Sequence, residues 1–356
     1  MFGNNINRVK RIIGEYDENI DSYKKAEVIA SEIISASVDD ASIMKIDVIS
    51  RIKERNSLRK KIEKNIDKYS SIADITDILG FRIICYFVDD IERISAVIED
   101  IFDIDYDNSI DKRKMLNPNA FGYLSVHYVC SLKRSSAHSE SLCGLKFEIQ
   151  IRTLLQHVWA EIEHDLGYKS EFAIPRAVRR DFSRVAGLLE LADEKFADIK
   201  NGLDGYTEHV KKQIAINDVD DIYIDKISFN EYVFNNVLFK AYCDKFSKEC
   251  GVEITMISPE LYLSHLTWLN INTLAEFDDA INKSGDCAID LMKRRLSDFE
   301  LDIVTSNVVI RSLCYAELIR RDYNKSEIME FLLISSAKED ADRISGKLLD
   351  YKQQLF

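Results

Sequence analysis

Glu148 stands in the run Lys146-Phe-Glu-Ile-Gln-Ile-Arg152. In a strand alternate residues share a face, so Glu148, Gln150 and Arg152 point together while Phe147, Ile149 and Ile151 point the other way. A carboxylate beside an amide and a guanidinium can hold a divalent cation and grip phosphate or ribose; the alternative is a solvated sheet face. The run Gly122-Tyr-Leu-Ser-Val-His127 repeats the pattern, with Tyr123, Ser125 and His127 on one face. Tyrosine offers a stacking surface for a base and His127 a donor for phosphate or hydroxyl, although by itself this run reads as a half-buried strand with wet polar tips. A second carboxylate, Asp77, immediately precedes the strand that carries Arg82. The helical stretch Leu154 to His164 has His157 and Glu161 four apart but no His-x-x-x-His pair, so the zinc-protease pattern is absent. Trp159 and Ile162 are expected in the core, and His157, Glu161 and His164 as hydrogen-bonding braces for the sheet.

The elements that must position these residues follow from periodicity. Residues 4–36 read as a helix through Ile6, Val9, Ile12, Ile13, Ala26, Ile29, Ile33 and Ile34. A second helix is expected from Ser42 to about Lys64. It carries eight basic residues (Lys45, Arg51, Lys53, Arg55, Arg59, Lys60, Lys61, Lys64) against three acidic ones (Asp47, Glu54, Glu63), a local charge of 8 − 3 = +5 that asks for an anionic partner. Phe81 to Phe87 reads as a buried strand, a helix follows over about 90–102, and strands are expected at Tyr123–Leu132 and Leu145–Ile151. Helices come next, over about 154–166 and 176–200. There are too few βα alternations for a doubly wound sheet. The expected fold class is therefore α+β, a mixed β-sheet flanked by helices. Asn201-Gly202 and Gly205 mark an expected boundary, so the domains read as a helical segment 1–40, a sheet domain 41–205 and a helical domain 206–356 with a regulatory or assembly role. In that last part, helices are expected near 229–249, 273–296 and 305–320, with Asn324 capping a final pair.

Composition narrows the function classes. With 356 residues, 46% hydrophobic, 31% charged, 12 Gly and 3 Pro, the chain is neither collagen-like nor low-complexity nor disordered. Its net charge of 48 − 61 = −13 argues against wholesale coating of nucleic acid and leaves only local basic patches for phosphate. No apolar run approaches the roughly 18 residues of a membrane span. The start has no apolar signal core, and the seven cysteines are scattered without a zinc spacing. A reducing cytoplasm and no membrane are expected.

Taken in order, Arg51-x-Lys53, Asp77-Ile-Leu-Gly-Phe-Arg82-Ile, Gly122-Tyr-Leu-Ser-Val-His127, Glu148-Ile-Gln-Ile-Arg-Thr153 and His164-x-x-x-Tyr168-Lys169 resemble the RelA/SpoT synthetase family across roughly residues 40–200. The resemblance implies a nucleotidyltransferase-like sheet and transfer of the β,γ-pyrophosphate of ATP to the 3′-hydroxyl of GDP or GTP, with release of AMP. By motif it implies that Asp77 and Glu148 hold Mg²⁺, with Glu148 also polarising the attacking hydroxyl. Arg51 and Arg82 would sandwich the adenine, and Lys53 and Lys61 would meet ATP phosphates. Tyr123 would stack on the acceptor base, with His127, Gln150 and Arg152 lining the site. The absence of a Walker motif is no obstacle, since arginine planes stack on purines without a Gly-rich loop.

One departure keeps the acceptor open. Guanosine-alarmone synthetases of the family usually carry Pro-Lys-x-Asn just before Gly-Tyr, whereas here Asn119 follows Pro118; Lys112, Arg113 and Lys114 are expected to supply the charge. The alternatives are a toxic relative that pyrophosphorylates the 3′ end of tRNA or makes adenosine alarmones, and a catalytically silent nucleotide-binding regulator. The family's long members also carry a hydrolase domain; with the synthetase motifs starting near residue 50, a protein that makes but does not degrade alarmone is expected, assembling as a homo-oligomer.

Overall fold

A computed structural model describes the chain except residues 1, 42, 44, 116–124, 135–139, 169–174, 297–300 and 356. It divides into two compact units, residues 1–200 and 201–356.

The first unit opens with a long helix, α1 (Phe2–Asp40), which buries Ala26, Ala30, Ile34 and Val38 at four-residue spacing. The next segment departs from expectation. Instead of one helix from Ser42, there is a strand, β1 (Lys45–Ile52), followed by α2 (Arg55–Lys64). β1 is rich in β-branched Ile and Val and pairs antiparallel with β2 (Leu79–Cys85) along its whole length. Sheet pairing outweighs the helical reading, because strand preference is decided by neighbours more than by the segment itself.

After β2 come α3 (Val88–Ile101), β3 (Phe102–Ile104), β4 (Ile110–Asp111), the single turn α4 (Lys112–Met115) and β5 (Val126–Leu132). The short α5 (Glu140–Cys143), β6 (Phe147–Thr153) and α6 (Leu154–Tyr168) complete the sheet region. The strand order is β1-β2-β6-β5-β3, with β4 also on β5. β2 and β6 run parallel and the other pairs antiparallel, giving the mixed sheet flanked by helices that the sequence predicts.

Two faces of this sheet differ completely. One face sends Phe81, Ile83, Phe147, Ile149, Ile151 and Cys130 into a core shared with α1 and α3. Phe147 meets Phe81 and Phe102 edge-on at 5.5 and 5.2 Å, and each such ring contributes roughly 1.5–3 kcal/mol by burial. The opposite face carries Arg82, Glu148, Gln150 and His127. Ile162 is on neither: it is 49% exposed on α6, against the expectation of a core position.

The unit division falls within α7 (Arg176–Ala215), which continues straight through Gly202 and Gly205. A glycine inside a helix costs only about 1 kcal/mol relative to alanine, too little to end one. The second unit contains α8 (Lys226–Asn235), α9 (Val237–Cys250), β7 (Glu253–Thr255), α10 (Leu263–Trp268) and α11 (Leu274–Leu296). After these come β8 (Ile303–Thr305), α12 (Ser306–Arg320), α13 (Lys325–Leu333) and α14 (Lys338–Leu355). It is helical apart from the parallel ribbon β7/β8. α11 packs on both α9 and α12, around an aromatic centre in which Phe277 contacts Phe229 at 5.0 Å and Tyr232 at 5.6 Å. Asp225, Asn236 and Asn324 accept backbone N–H groups at the starts of α8, α9 and α13. Asn236 also separates two helices that the apolar pattern reads as one. None of the described helices is long and apolar enough to cross a membrane.

Candidate active site

Register sets the polar face. Ile49, Arg82, Gln150 and His127 occupy one rung across β1, β2, β6 and β5, and Arg51, Gly80, Glu148 and Val129 the next. Directly paired residues share a face. Arg51, Arg82, Glu148, Gln150 and His127 are therefore neighbours on one surface, although their segments are separated by up to a hundred residues of sequence.

Glu148 is the centre of the row. Its Oε1 lies 2.7 Å from His127 Nδ1, and its Oε2 accepts from Gln150 Nε2 at 2.9 Å. The second imidazole nitrogen of His127 lies 2.7 Å from the hydroxyl of buried Ser125. Gln150 in turn accepts from the buried Arg152. Burial alone would raise the Glu148 carboxyl, but His127 and Gln150 hold it below its ordinary value. At neutral pH it is thus an anion with its side chain 21% exposed.

Asp77 sits beside this row, near enough for its charge to oppose that of Glu148. Its Oδ2 is gripped by Lys53 Nζ at 2.8 Å and Lys61 Nζ at 2.6 Å. Burial pushes the Asp77 carboxyl up, and the two ammonium groups outweigh it and leave the carboxyl below its usual range. The Lys53 backbone is held from both sides: its N–H donates to Ile78 O at 2.7 Å, and its carbonyl accepts from Tyr16 of α1 at 2.8 Å. Lys61 comes from α2. The remaining oxygen, Asp77 Oδ1, is buried and has no hydrogen-bond partner among the described residues. A buried, unpaired carboxylate oxygen whose group lies within electrostatic reach of a second carboxylate is a good acceptor for a cation.

Lys112 opens α4, and Glu148 and Arg152 are among its electrostatic neighbours; burial lowers its ammonium, and Glu148 partly opposes that. Arg82 is not free: its Nη1 donates to Glu161 Oε1 of α6 at 2.7 Å. The expectation of a bracing role for Glu161 is met here, with His157 next to it at 3.9 Å. Burial keeps His157 below the ordinary imidazole value, and the positive charge of Arg152 acts in the same direction. His164, by contrast, is exposed beside Asp165. Arg113 is committed to Asp111 and Glu92, both at 2.9 Å or less, so of these two basic residues it is Lys112 whose charge acts on Glu148. Tyr123 and the side chain of Lys114 lie outside the described residues, as does Asn119.

Asp193 gave no signal in the sequence. It projects from α7 and accepts from the Thr153 hydroxyl at 2.6 Å, at the end of the Glu-x-Gln-x-Arg-Thr strand. Thr153 and Gln156 also cap the start of α6. Burial lifts the Asp193 carboxyl to about 6. An acidic residue in a charged amphipathic helix is ordinary, and only the fold reveals its contact.

A family model described as the region found in RelA/SpoT proteins matches residues 50–172. The GTP pyrophosphokinase YjbM of Bacillus subtilis strain 168 is 32% identical over 156 residues, which cover 43% of this chain and 71% of that protein. The chain belongs to the RelA/SpoT family. A second family relative, the GTP pyrophosphokinase YwaC of the same organism, is 30% identical over 158 residues, covering 44% of this chain and 73% of that protein. Among solved structures, the small alarmone synthetase 1 from Bacillus subtilis aligns with a TM-score of 0.46 and 24% identity, over 54% of this chain and 99% of its own.

Proposed function

We propose that the protein is a (p)ppGpp synthetase, a GTP pyrophosphokinase that transfers the β,γ-pyrophosphate of ATP to the 3′-hydroxyl of GDP or GTP and releases AMP. The observation that carries this reading is the juxtaposition of two anionic carboxylates, Asp77 and Glu148, with Lys53, Lys61 and Lys112 on a face bordered by Arg82 and Arg51. Phosphoryl-type transfer needs little covalent help and much charge neutralisation and positioning, and this surface supplies both signs of charge in close alternation.

In this reading Asp77 and Glu148 hold Mg²⁺, a role favoured by the orphaned Asp77 Oδ1. When bound, the ion would neutralise phosphate oxygens. Lys53 and Lys61 exchange their contact with Asp77 for ATP phosphates. Arg82 leaves Glu161 to stack on the adenine, with Arg51 on the other side of the ring. Glu148, already accepting from His127, orients the acceptor's 3′-hydroxyl and draws its proton as the oxygen attacks the β-phosphorus and the bond to the α-phosphate oxygen breaks. Gln150 and Arg152 fix the Glu148 rotamer, while Tyr123, Lys112 and Lys114 receive the acceptor. All seven cysteines are free thiols, which supports a cytoplasmic setting, and the helical unit 201–356 is an appended domain.

The test is incubation of the full chain with γ-labelled ATP and each of GDP, GTP, ATP and deacylated tRNA. Label entering ppGpp or pppGpp with stoichiometric AMP is expected. Label appearing only in tRNA or in an adenosine product, or no AMP at all, would overturn the assignment of the acceptor or of the reaction.

A further inference from the structure

Several elements of the second unit bring basic and phenolic side chains together. Arg295 stands in the last turn of α11, Arg311 in the second turn of α12, and these two helices pack on each other. Tyr315 follows Arg311 by one turn. Tyr262 closes the 3₁₀ turn Glu260–Tyr262, which packs on α12. The guanidiniums of Arg295 and Arg311 are close enough to repel each other, and both act on the two phenols. Arg343 of α14 adds a third positive charge nearby, although its own guanidinium is bonded to Asp340 at 2.6 Å.

The arrangement contrasts with other arginines of the unit. Arg320 and Arg321 are both satisfied by Glu317. Among the described residues, neither Arg295 nor Arg311 has an acidic partner or a hydrogen-bond acceptor, and Arg311 Nε is buried without one. Leaving a buried donor unpaired costs about 1–3 kcal/mol, and two guanidiniums side by side add mutual repulsion. The dipole at the C-terminal end of α11 favours a cation at Arg295 but does nothing for Arg311. Arg295 itself is exposed, so what an anion with several oxygens would relieve is the unpaired Arg311 nitrogen and the repulsion between the two guanidiniums. The planar guanidinium forks match phosphate oxygens, and phenolic hydroxyls donate to the same group.

We propose that Arg295, Arg311, Tyr262 and Tyr315 form a binding site for a phosphate-bearing anion, either free pyrophosphate or the phosphate tail of a nucleotide. The site is independent of the synthetase reading, since it lies wholly within the helical unit.

Equilibrium dialysis of the full chain with labelled pyrophosphate tests it, in a Lys53→Ala, Lys61→Ala background that weakens phosphate binding at the sheet. Saturable residual binding is expected, and adding Arg295→Gln with Arg311→Gln should weaken it about ten-fold or more with an unchanged circular dichroism spectrum. Arg311→Lys alone keeps the charge but loses the fork and should fall between. GTP separates the sources: competition at concentrations comparable to pyrophosphate assigns a nucleotide's phosphate tail, and failure to compete assigns the free anion. Absence of residual binding, or residual affinity indifferent to Arg311→Lys and to the glutamine pair, overturns the site. If the lysine background does not fold, the same arginine variants in the unaltered chain must remove one of two binding classes.

Discussion

Asp77 in the sheet unit and Glu317 in the helical unit are both carboxylates bracketed by two basic side chains. Glu317 is 1% exposed, and both of its oxygens are used, by Arg320 at 2.8 Å, Arg321 at 2.6 Å and the Ser284 hydroxyl. Asp77 offers both lysines the same oxygen, keeps the other unpaired among the described residues and leaves its side chain 24% exposed. Both are held below the ordinary carboxyl value, against burial, by their cationic partners. The difference lies in what remains to be satisfied. A closed network braces a helix pair, whereas one with a spare buried acceptor on a partly exposed side chain has the oxygen that the proposed Mg²⁺ role requires.

The comparison breaks first on activity. Asp77→Asn and Glu148→Gln are each expected to reduce pyrophosphate transfer by about 10²–10³-fold or more, while circular dichroism and thermal midpoint stay close to the parent. Turnover near the parent's in either variant would end the reading of the open network as catalytic. Glu317→Ala should do the reverse and remove about 1–3 kcal/mol of stability in denaturant titrations, because it leaves the buried Ser284 hydroxyl and two partly exposed guanidiniums without their acceptor. A loss under 1 kcal/mol would mean that the closed network is ornamental.

Two smaller effects sharpen the contrast. Arg82→Ala should weaken ATP about ten-fold, the loss of one stacking plane, whereas Glu161→Ala should tighten it by up to about five-fold by releasing Arg82 from an ion pair worth about 1 kcal/mol at most. ATP titrations that show the same sign for both variants would remove Arg82 from the adenine site. Asp193 supplies the pH dependence. Its folded value of about 6 is raised above the ordinary 3.8, so the fold favours the protonated acid. Stability from this group is complete below the ordinary value and is lost as pH rises through the folded one. Asp193→Asn should match the parent near pH 4 and exceed it above pH 6 by at most about 3 kcal/mol, read from urea unfolding at both pH values.

Alternation made the polar row legible before any coordinates: Glu148, Gln150 and Arg152 fall on one face because a strand permits nothing else. Their contact with His127 was implied only through the family resemblance, since pairing register between distant strands leaves no trace in either segment. Residues 45–52 were misread for a related reason. Lys45 to Ile52 carries enough charge to pass as an amphipathic helix, and its strand state depends on β2, more than twenty residues away. The Arg82–Glu161 and Thr153–Asp193 links were likewise invisible, each joining a residue of a helix to one of a strand far away in sequence.

The parallel pairing of β2 with β6 has a temporal consequence. Antiparallel β1 and β2 are separated by residues 53–78, whereas Arg82 acquires Gln150 as its neighbour only when β6 docks beside it, closing a loop of more than sixty residues, and the longer loop closes more slowly. During synthesis on the ribosome, a chain released before Phe147 would hold Asp77 and both lysines yet lack Glu148 and the rest of β6. On the proposed reading, pyrophosphate transfer must wait until this central strand is in place, while a truncated chain would keep the lysines that meet phosphate without the carboxylate that activates the acceptor.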